Sequence, residues 1–192
     1  MNAVRQIFNR IADEKVNRAY LSLGSNLEPE HNLRRAVRSL TQHGSVRAVS
    51  TVWESAPWGT PVIRREDHGN YYNAAVLLYT PLSAQQLIRE TIYPIETDLG
   101  RIREKRNKNA PRTIDIDIML FNHDILHVDT RQIPHPEILE RPFVAVTLAE
   151  IDPLYVHPET GQTLEDIAGR LKTSGVEIHQ RHEIELLPPH LR

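Results

Sequence analysis

The stretch PRTIDIDIMLF, residues 111–121, decides the fold. Its isoleucines alternate with other residues, and a period of two predicts a β-strand over 113–121. One face of this strand is expected to turn toward the core and to carry Ile114, Ile116, Ile118 and Leu120. The opposite face is expected to carry Thr113, Asp115, Asp117 and Met119. The strand therefore predicts a sheet with a buried side and a side that bears two acids.

The two acids indicate a cation site. Asp115 and Asp117 are two residues apart, so their carboxylates project from one face, roughly 6–7 Å apart along the strand. Like charges at this separation repel unless a cation lies between them. Mg²⁺ fits such a pair, because it binds one or two carboxylates and completes its shell with water and substrate phosphate. The alternative is a half-buried strand whose polar side meets solvent.

A basic segment leads directly into this strand. Residues 101–112 hold six cationic side chains against one acid, Glu104; the cations are Arg101, Arg103, Lys105, Arg106, Lys108 and Arg112. A cationic loop beside a carboxylate pair suits a nucleotide, because a metal bridges the phosphate oxygens while Arg and Lys neutralise the remaining charge. The alternative is a solvated charge run. Together the two features favour phosphoryl or pyrophosphoryl transfer.

Alternation and turn residues predict the other elements. The four main strands are expected over 19–24, 46–55, 71–79 and 113–121. The helices are expected over 30–43, 83–99, 143–150 and 163–171, with Pro94 kinking or splitting the second of them. A terminal strand is expected over 176–187. The order strand–helix–strand–strand–helix–strand predicts an α+β, ferredoxin-like antiparallel sheet with helices packed on it.

Both ends of the chain are expected to extend this fold. Residues 1–18 are expected to form an N-terminal extension with an amphipathic helix over 1–17, and residues 19–192 a single domain. The tail after about residue 172, which includes the predicted terminal strand, is expected to be a C-terminal extension.

Composition excludes several function classes. The chain has 192 residues, 23 Lys and Arg against 25 Asp and Glu, and a formal net charge of −2, which gives no general attraction to nucleic acid or anionic membrane. The absence of cysteine excludes a disulfide scaffold, a thiolate metal site and a cysteine nucleophile. No apolar run approaches the roughly 18 residues that span a bilayer, and no secretory signal is recognisable. We expect a cytoplasmic protein.

Aromatic residues and one amide flank a long loop over 56–70. Trp58 stands at its start, and Tyr71, Tyr72 and Asn73 follow it. Flat side chains with an amide suit a planar heterocycle, because stacking supplies contact area and Asn offers a donor and an acceptor. Core aromatics are the alternative. His135 lies between two prolines that fix its backbone, which suits a ligand contact or an ordinary surface loop.

Six blocks of residues, in order, resemble the 6-hydroxymethyl-7,8-dihydropterin pyrophosphokinase family of folate biosynthesis. The blocks are LGSNL (23–27), SAPWG (55–59), YNAA (72–75), IE (95–96) with LGR (99–101), PRTIDID (111–117), and PHP (134–136) with RPFV (141–144). They cover about residues 19–160 at family-like spacing. The resemblance implies ATP-dependent transfer of pyrophosphate to the hydroxymethyl group of a reduced pterin, with release of AMP.

The same resemblance assigns roles to individual residues. Asp115 and Asp117 would hold two Mg²⁺ ions, and Arg101 and Arg112 would be the catalytic cations. The ATP side would include Glu96, Arg112, Ile118, His135 and Arg141. The pterin site would include Ser55, Ala56, Trp58, Tyr71, Asn73 and Phe143. Loops 56–70 and 101–112 would close over the substrates and exclude water.

Two alternatives stay open. A ferredoxin-like domain with a basic loop could bind nucleic acid, although the net charge and the lack of an RNP-like aromatic motif argue against it. Asn109-Ala110 stands where the family usually has Trp-Gly, so a relative that binds without turnover, or takes a shifted substrate, is the second. The expected partners are ATP and a reduced pterin, without nucleic acid or membrane; contact with neighbouring folate-pathway enzymes is left open.

Overall fold

An antiparallel sheet of six strands runs through the middle of the fold. The structure, a computed structural model, describes residues 16–58, 69–102 and 111–187. The strands of the sheet are β1 (Asn17–Ser25), β2 (Ser45–Val49), β3 (Val52–Ser55), β4 (Tyr71–Thr80), β5 (Asp115–Phe121) and β8 (Ile178–Arg181). A separate ribbon consists of β6 (Leu126–Val128) and β7 (Arg131–Ile133). The helices are α1 (Pro29–Leu40), α2 (84–98), α3 (Pro142–Ile151) and α4 (Leu164–Lys172).

The strand order confirms the predicted fold class. It is β5-β1-β4-β3-β8, with β2 paired to β4 in line with β3, and every pair is antiparallel. Strands β2 and β3 together take the place of the single strand predicted over 46–55. The last strand of the strand–helix–strand–strand–helix–strand unit therefore lies beside the first, which is the ferredoxin-like arrangement.

The predicted strand 46–55 is divided at Ser50. The backbone N–H of Ser50 donates to the carbonyl oxygen of Ala75 (3.0 Å), while the Ser50 hydroxyl accepts from the N–H of Ala75 (2.8 Å). A side chain thus replaces a backbone partner in the ladder, and Thr51 turns away to donate its N–H to Glu150 (2.9 Å). The prediction of one continuous strand was wrong because β-branched residues continue through the break.

Helices cover both faces of the sheet. The first core lies under α1 and α2 and includes Leu21, Leu33, Val76, Ile88 and Ile116. The second core lies under α3 and α4 and includes Tyr20, Leu77, Leu120, Val144 and Ile167. Each fully buried aliphatic side chain contributes about 1.5–3 kcal/mol of burial free energy. Because both faces are covered, polar residues on either face are exposed only near the ends of the strands.

A β-bulge in β5 corrects the predicted alternation. Leu21 is opposite Ile118 and Tyr20 is opposite Leu120, so Met119 is an extra residue in the ladder. Ile114, Ile116 and Ile118 face the first core as predicted, but Leu120 faces the second. The prediction for Leu120 was wrong because an inserted residue shifts every later side chain to the opposite face.

Pro94 changes the type of helix instead of dividing α2. The helix consists of Ala84–Gln86, a π-helical segment Leu87–Ile92, and Tyr93–Asp98. The N–H of Tyr93 donates to the carbonyl of Ile88, five residues earlier. Pro94 has no N–H, and its ring would crowd the carbonyl of the preceding turn of a regular α-helix. A wider turn just before the proline relieves both problems, and the helix stays continuous.

The C-terminal strand is shorter than predicted. Of residues 176–187 only Ile178–Arg181 pair with β3. Ile184 and Leu186 instead bury their side chains in the first core, so the chain leaves the edge of the sheet. The helix predicted over 1–17 falls almost entirely outside the described residues. Within the described ranges, none of the helices combines the length and the apolarity that crossing a membrane requires.

Candidate active site

Strand register brings the predicted polar residues into one row across the sheet. Directly opposed residues of antiparallel strands project from the same face. Gly24 on β1 is opposite Asp115 on β5 and opposite Asn73 on β4, and Asn73 is opposite Trp53 on β3. Asp117 lies one row further along the same face. Because Gly24 has no side chain and is partly exposed, it leaves a gap in this row between Asp115 and Asn73, which we call the trough.

Asp115 is ion-paired with both predicted catalytic arginines. Its Oδ1 is bound by Arg101 and its Oδ2 by Arg112. Arg101 also pairs with Glu96, whose side chain is only 3% exposed and whose Oε1 accepts the backbone N–H of Ile116 (3.0 Å). Glu96 thus links the Arg101 side chain to the backbone of β5.

Asp117 is a half-buried carboxylate suited to a cation. Burial, together with the negative charge of Asp115, raises the pKa of Asp117 to about 6. Among the described residues none donates a hydrogen bond to this carboxylate, and no group of three or more His, Cys, Asp or Glu that could hold a metal is found there. An ionised carboxylate is costly to bury without a positive partner. Two hard oxygen donors on one face therefore fit Mg²⁺, which needs few protein ligands.

His135 lies beside the acidic pair. Its backbone N–H donates to the carbonyl of Met119 on β5 (2.8 Å), and its Nδ1 accepts the N–H of Glu137 (3.3 Å). Burial lowers the pKa of His135, and the charge of Asp117 opposes this effect. A neutral imidazole next to an acid pair can contact a ligand without repelling a metal cation.

Arg141 connects this side of the site to the aromatic side. It pairs with Glu137 (2.6 Å), and burial raises the pKa of that carboxyl group. Its guanidinium lies 5.9 Å from the ring centroid of Trp58 and 6.0 Å from that of Phe143. The two rings pack edge to face at 6.2 Å. The buried Nε of Arg141 has no acceptor among the residues described, which leaves one donor for a ligand.

Asn73 is fixed so that only its acceptor is available. Its Nδ2 donates to Ser55 Oγ (3.0 Å) and to the carbonyls of Trp53 (3.1 Å) and Tyr71 (3.3 Å). Its Oδ1 is turned toward Gly24, where a Cβ would lie 3.6 Å away. Asn73 can therefore accept from a ligand above the trough, whereas the sequence suggested both a donor and an acceptor.

Tyr71 completes the pterin side near the arginines. The guanidinium of Arg112 lies 5.8 Å from its ring centroid. Burial raises the pKa of the Tyr71 hydroxyl, and Arg112 acts in the opposite direction. Ala56 is half-buried after Ser55, at the start of the long loop. The arginine cluster and the predicted pterin residues thus meet at Tyr71.

One predicted site residue points elsewhere. The side chain of Ile118 is 2% exposed and lies in the first core, on the face of β5 opposite to the two acids. Only its backbone could take part in nucleotide binding. Most of the two loops expected to close over the substrates, residues 59–68 and 103–110, lies outside the described residues.

Ser25 and Asn26 contribute to the site, although the sequence analysis named them only within the LGSNL block and assigned them no role. Asn26 Oδ1 accepts the N–H of Arg112 (2.7 Å), and its own N–H donates to the Arg112 carbonyl (3.2 Å). The Ser25 hydroxyl donates to the carbonyl of Thr113 (2.5 Å). These bonds fix the backbone that carries Arg112. The signal was present in the Gly-Ser-Asn stretch, but its partner cannot be identified without the β1–β5 register.

Comparison with known proteins gives one consistent family. A family model described as 7,8-dihydro-6-hydroxymethylpterin-pyrophosphokinase (HPPK) matches residues 20–153. The chain is 42% identical over 138 residues to the 2-amino-4-hydroxy-6-hydroxymethyldihydropteridine pyrophosphokinase of Bacillus subtilis, which covers 70% of this chain and 78% of that protein. A protein of the same name from Methylorubrum extorquens is 36% identical over 165 residues, covering 84% and 98%.

A solved structure supports the fold. The Plasmodium falciparum chain HPPK-DHPS matches with a TM-score of 0.61 and 15% identity, over 82% of this chain and 44% of that chain. This chain thus spans less than half the length of that protein, and the likeness concerns the fold alone. Family model, relatives and fold agree. The chain therefore belongs to the 7,8-dihydro-6-hydroxymethylpterin-pyrophosphokinase family and is an ATP-dependent diphosphotransferase of folate biosynthesis.

Proposed function

We propose that the trough over Gly24 is where this enzyme transfers pyrophosphate from ATP to 6-hydroxymethyl-7,8-dihydropterin. The hydroxymethyl oxygen attacks the β-phosphorus, the bond from that phosphorus to the bridging oxygen of AMP breaks, and the hydroxyl proton is released. The observation that carries this proposal is the row Asp115–Gly24–Asn73, which puts an acid–arginine cluster on one side of an open trough and a fixed amide acceptor on the other.

The polar side of the trough suits the phosphates. Asp115 and Asp117 would hold two Mg²⁺ ions, which would supply positive charge against the phosphates of ATP. Arg101 and Arg112 exchange Asp115 for phosphate oxygens and stabilise the charge that develops during transfer. His135 and Arg141 line the nucleotide side, where the free Nε of Arg141 can donate to an anionic oxygen.

The other side of the trough suits the ring. The Oδ1 of Asn73 accepts from a ring N–H, while Trp58, Phe143 and Tyr71 supply flat contact area. Ser55 fixes the Asn73 amide, and Ala56 leaves room beside it. Closure of the loops over 56–70 and 101–112, which would keep water from replacing the pterin hydroxyl as acceptor, stays a prediction, since most of both loops lies outside the described residues.

A direct assay tests this function. Purified protein is mixed with Mg²⁺, ATP and 6-hydroxymethyl-7,8-dihydropterin, and AMP and pterin diphosphate are measured. We expect both products in equal amounts and no AMP when the pterin is omitted. Asp115→Ala and Asp117→Ala should each lower turnover by about a hundredfold or more, since the metal clamp supplies several kcal/mol.

The control variant is Asp124→Ala, which changes an exposed acid beyond the end of β5. It should keep nearly normal turnover. Formation of ADP, formation of AMP without pterin, or unchanged rates in both active-site variants would contradict the proposal. A cytoplasmic location and a contact with another folate-pathway enzyme stay predictions; the second is supported by the name HPPK-DHPS of the P. falciparum chain.

A further inference from the structure

The edge strand β8 lies outside residues 20–153, which the family model matches, yet it adjoins the proposed pterin site. It runs antiparallel along β3, so that Ile178 is opposite Ser55 and Arg181 is opposite Val52. Ser55 holds the amide of Asn73 in place. The C-terminal strand is thus one strand away from a residue that shapes the substrate trough.

On the face of the sheet away from the trough, Arg181 joins three segments. Its Nη1 pairs with Glu54 on β3 (2.6 Å), and its guanidinium lies 5.1 Å from the ring centroid of Tyr72 on β4. The other carboxylate oxygen of Glu54 accepts from Asn70 Nδ2 (2.7 Å), just before β4 begins. Glu54 is therefore held from both sides, and it stands directly before Ser55.

On the trough side, β8 contributes apolar contact. Ile178 packs against the second core together with Trp53 and Trp58. At the edge of the sheet, reaching both faces, an open cavity of about 720 Å³ is lined by residues 54–58, by Asn70 and by residues of the segment 175–179. The loop that carries Trp58 thus has the C-terminal segment as its neighbour across this cavity.

A half-exposed ion pair contributes little to stability by itself. The Arg181 and Glu54 side chains are 34% and 18% exposed. We expect this pair to act by fixing the position of β3. The pairing of β8 with β3 covers only four residues, and Arg181 extends it by also contacting Tyr72 on β4. A small displacement of Ser55 would move the Asn73 acceptor, and ligand positioning is sensitive to such shifts.

We propose that β8 is a positioning element for the pterin site and that Arg181 is its positioning residue. Arg181 fixes Glu54, and through β3 it holds Ser55 and Trp58 where the pterin ring packs, without touching either substrate. This inference rests on the proposed function, which assigns the pterin to this side of the trough.

The test compares Arg181→Gln with Arg47→Gln. Arg47, on β2, is a matched control. It is also an exposed strand arginine next to a tyrosine of β4, since its guanidinium lies 5.3 Å from the ring centroid of Tyr79. We expect Arg181→Gln to raise the KM for pterin by about fivefold, with kcat and the KM for ATP changed by less than about twofold. Glu54→Gln should have the same effect, and the double variant no more than either single one.

Tryptophan fluorescence gives a second readout that needs no turnover. The chain has two tryptophans, Trp53 and Trp58, and both lie at this part of the site. Arg181→Gln should shift the emission of the substrate-free protein, and Arg47→Gln should leave it unchanged.

An unchanged pterin KM and emission in Arg181→Gln would overturn the inference. So would equal increases in the KM for pterin and ATP, which indicate general destabilisation. If the wild-type protein forms no AMP, the proposed function fails, and the emission comparison by itself decides whether Arg181 positions β3 and Trp58.

Discussion

Arg112 is ion-paired with Asp115, three residues further along the chain, and occupies one oxygen of a carboxylate that we expect to hold Mg²⁺. Arg101 occupies the other oxygen. A cation and the two guanidinium groups therefore compete for the same atoms. Phosphates that draw the arginines away should strengthen metal binding, so metal and nucleotide are expected to bind with positive coupling.

Removal of an arginine should improve metal binding to the nucleotide-free protein. For Arg112→Gln or Arg101→Gln, we expect the Kd for Mn²⁺ to fall by about five- to tenfold, because a competitor for Asp115 is lost. Free Mn²⁺ is measured by electron paramagnetic resonance during a titration. Arg141→Gln is the control, since Arg141 pairs with Glu137 and not with the aspartates. Equal effects in all three variants would mean that net charge alone controls the affinity.

Asp117 should make the metal-free protein less stable at neutral pH. Its pKa is raised from 3.8 to about 6 in the folded state, so the folded protein binds the proton more tightly than the unfolded chain does. Ionisation above pH 6 therefore costs stability, and this cost disappears as the pH falls through 6 toward 4. Asp117→Asn should be more stable than wild type by about 2 kcal/mol at pH 8.

The measurement is urea unfolding in EDTA between pH 4 and pH 8. The stability advantage of Asp117→Asn should be largest at pH 8 and absent near pH 4. A constant difference across this range would show that the Asp117 carboxylate is not perturbed by burial.

Glu96 should act through Arg101. Glu96→Gln keeps an acceptor for the N–H of Ile116 but removes the charge that holds Arg101. We expect kcat to fall by about tenfold with little change in the KM for ATP, because Arg101 is expected to stabilise the developing charge. Steady-state kinetics at varied ATP separate the two parameters. A change confined to the KM for ATP would instead indicate direct contact with the nucleotide.

The absence of a side chain at Gly24 should be needed for pterin binding. In Gly24→Ala the new methyl group lies 3.6 Å from Asn73 Oδ1, an ordinary contact that the fold tolerates. It would nevertheless fill the trough, so the KM for pterin should rise by about tenfold, since one added carbon has an effect of this order in a fitted pocket. Thermal unfolding should be unchanged or improved.

Gly169→Ala, on α4, is the matched control, because Gly169 is exposed and no atom from outside its own helix lies within 4 Å of the position that a Cβ would take there. Its kinetics should equal those of the wild type. Normal pterin binding in Gly24→Ala would place the ring away from β1.

The sequence predicted the local chemistry of the acidic strand better than its surroundings. Alternation in residues 111–121 correctly placed Asp115 and Asp117 on one face, because strand geometry fixes side-chain direction over short distances. It failed at Leu120, since the bulge at Met119 depends on how β5 meets β1. The ion pairs of Asp115 also depend on partners that other elements bring close, such as Glu96 on α2.

Some residues gave a visible signal without an identifiable partner. Asn73 was singled out by its aromatic neighbours, but only the β3–β4 register shows that its donor is used within the protein. Arg181 gave no signal at all, because its effect comes from pairing β8 with β3. The pairing of strands that are far apart in the chain is hard to infer from a single sequence.

The extra residue at Met119 separates the acidic part of β5 from its apolar end. The acidic part pairs with Ser22 and Gly24 of β1, and the apolar end pairs with Ala19 and Tyr20. Deletion of this one amino acid would leave a regular ladder, because the residues on either side of it are already opposite consecutive residues of β1. The deletion would instead remove the Met119 carbonyl, which accepts the N–H of His135. A residue that strand pairing does not need is therefore the one that anchors the histidine beside the acidic strand.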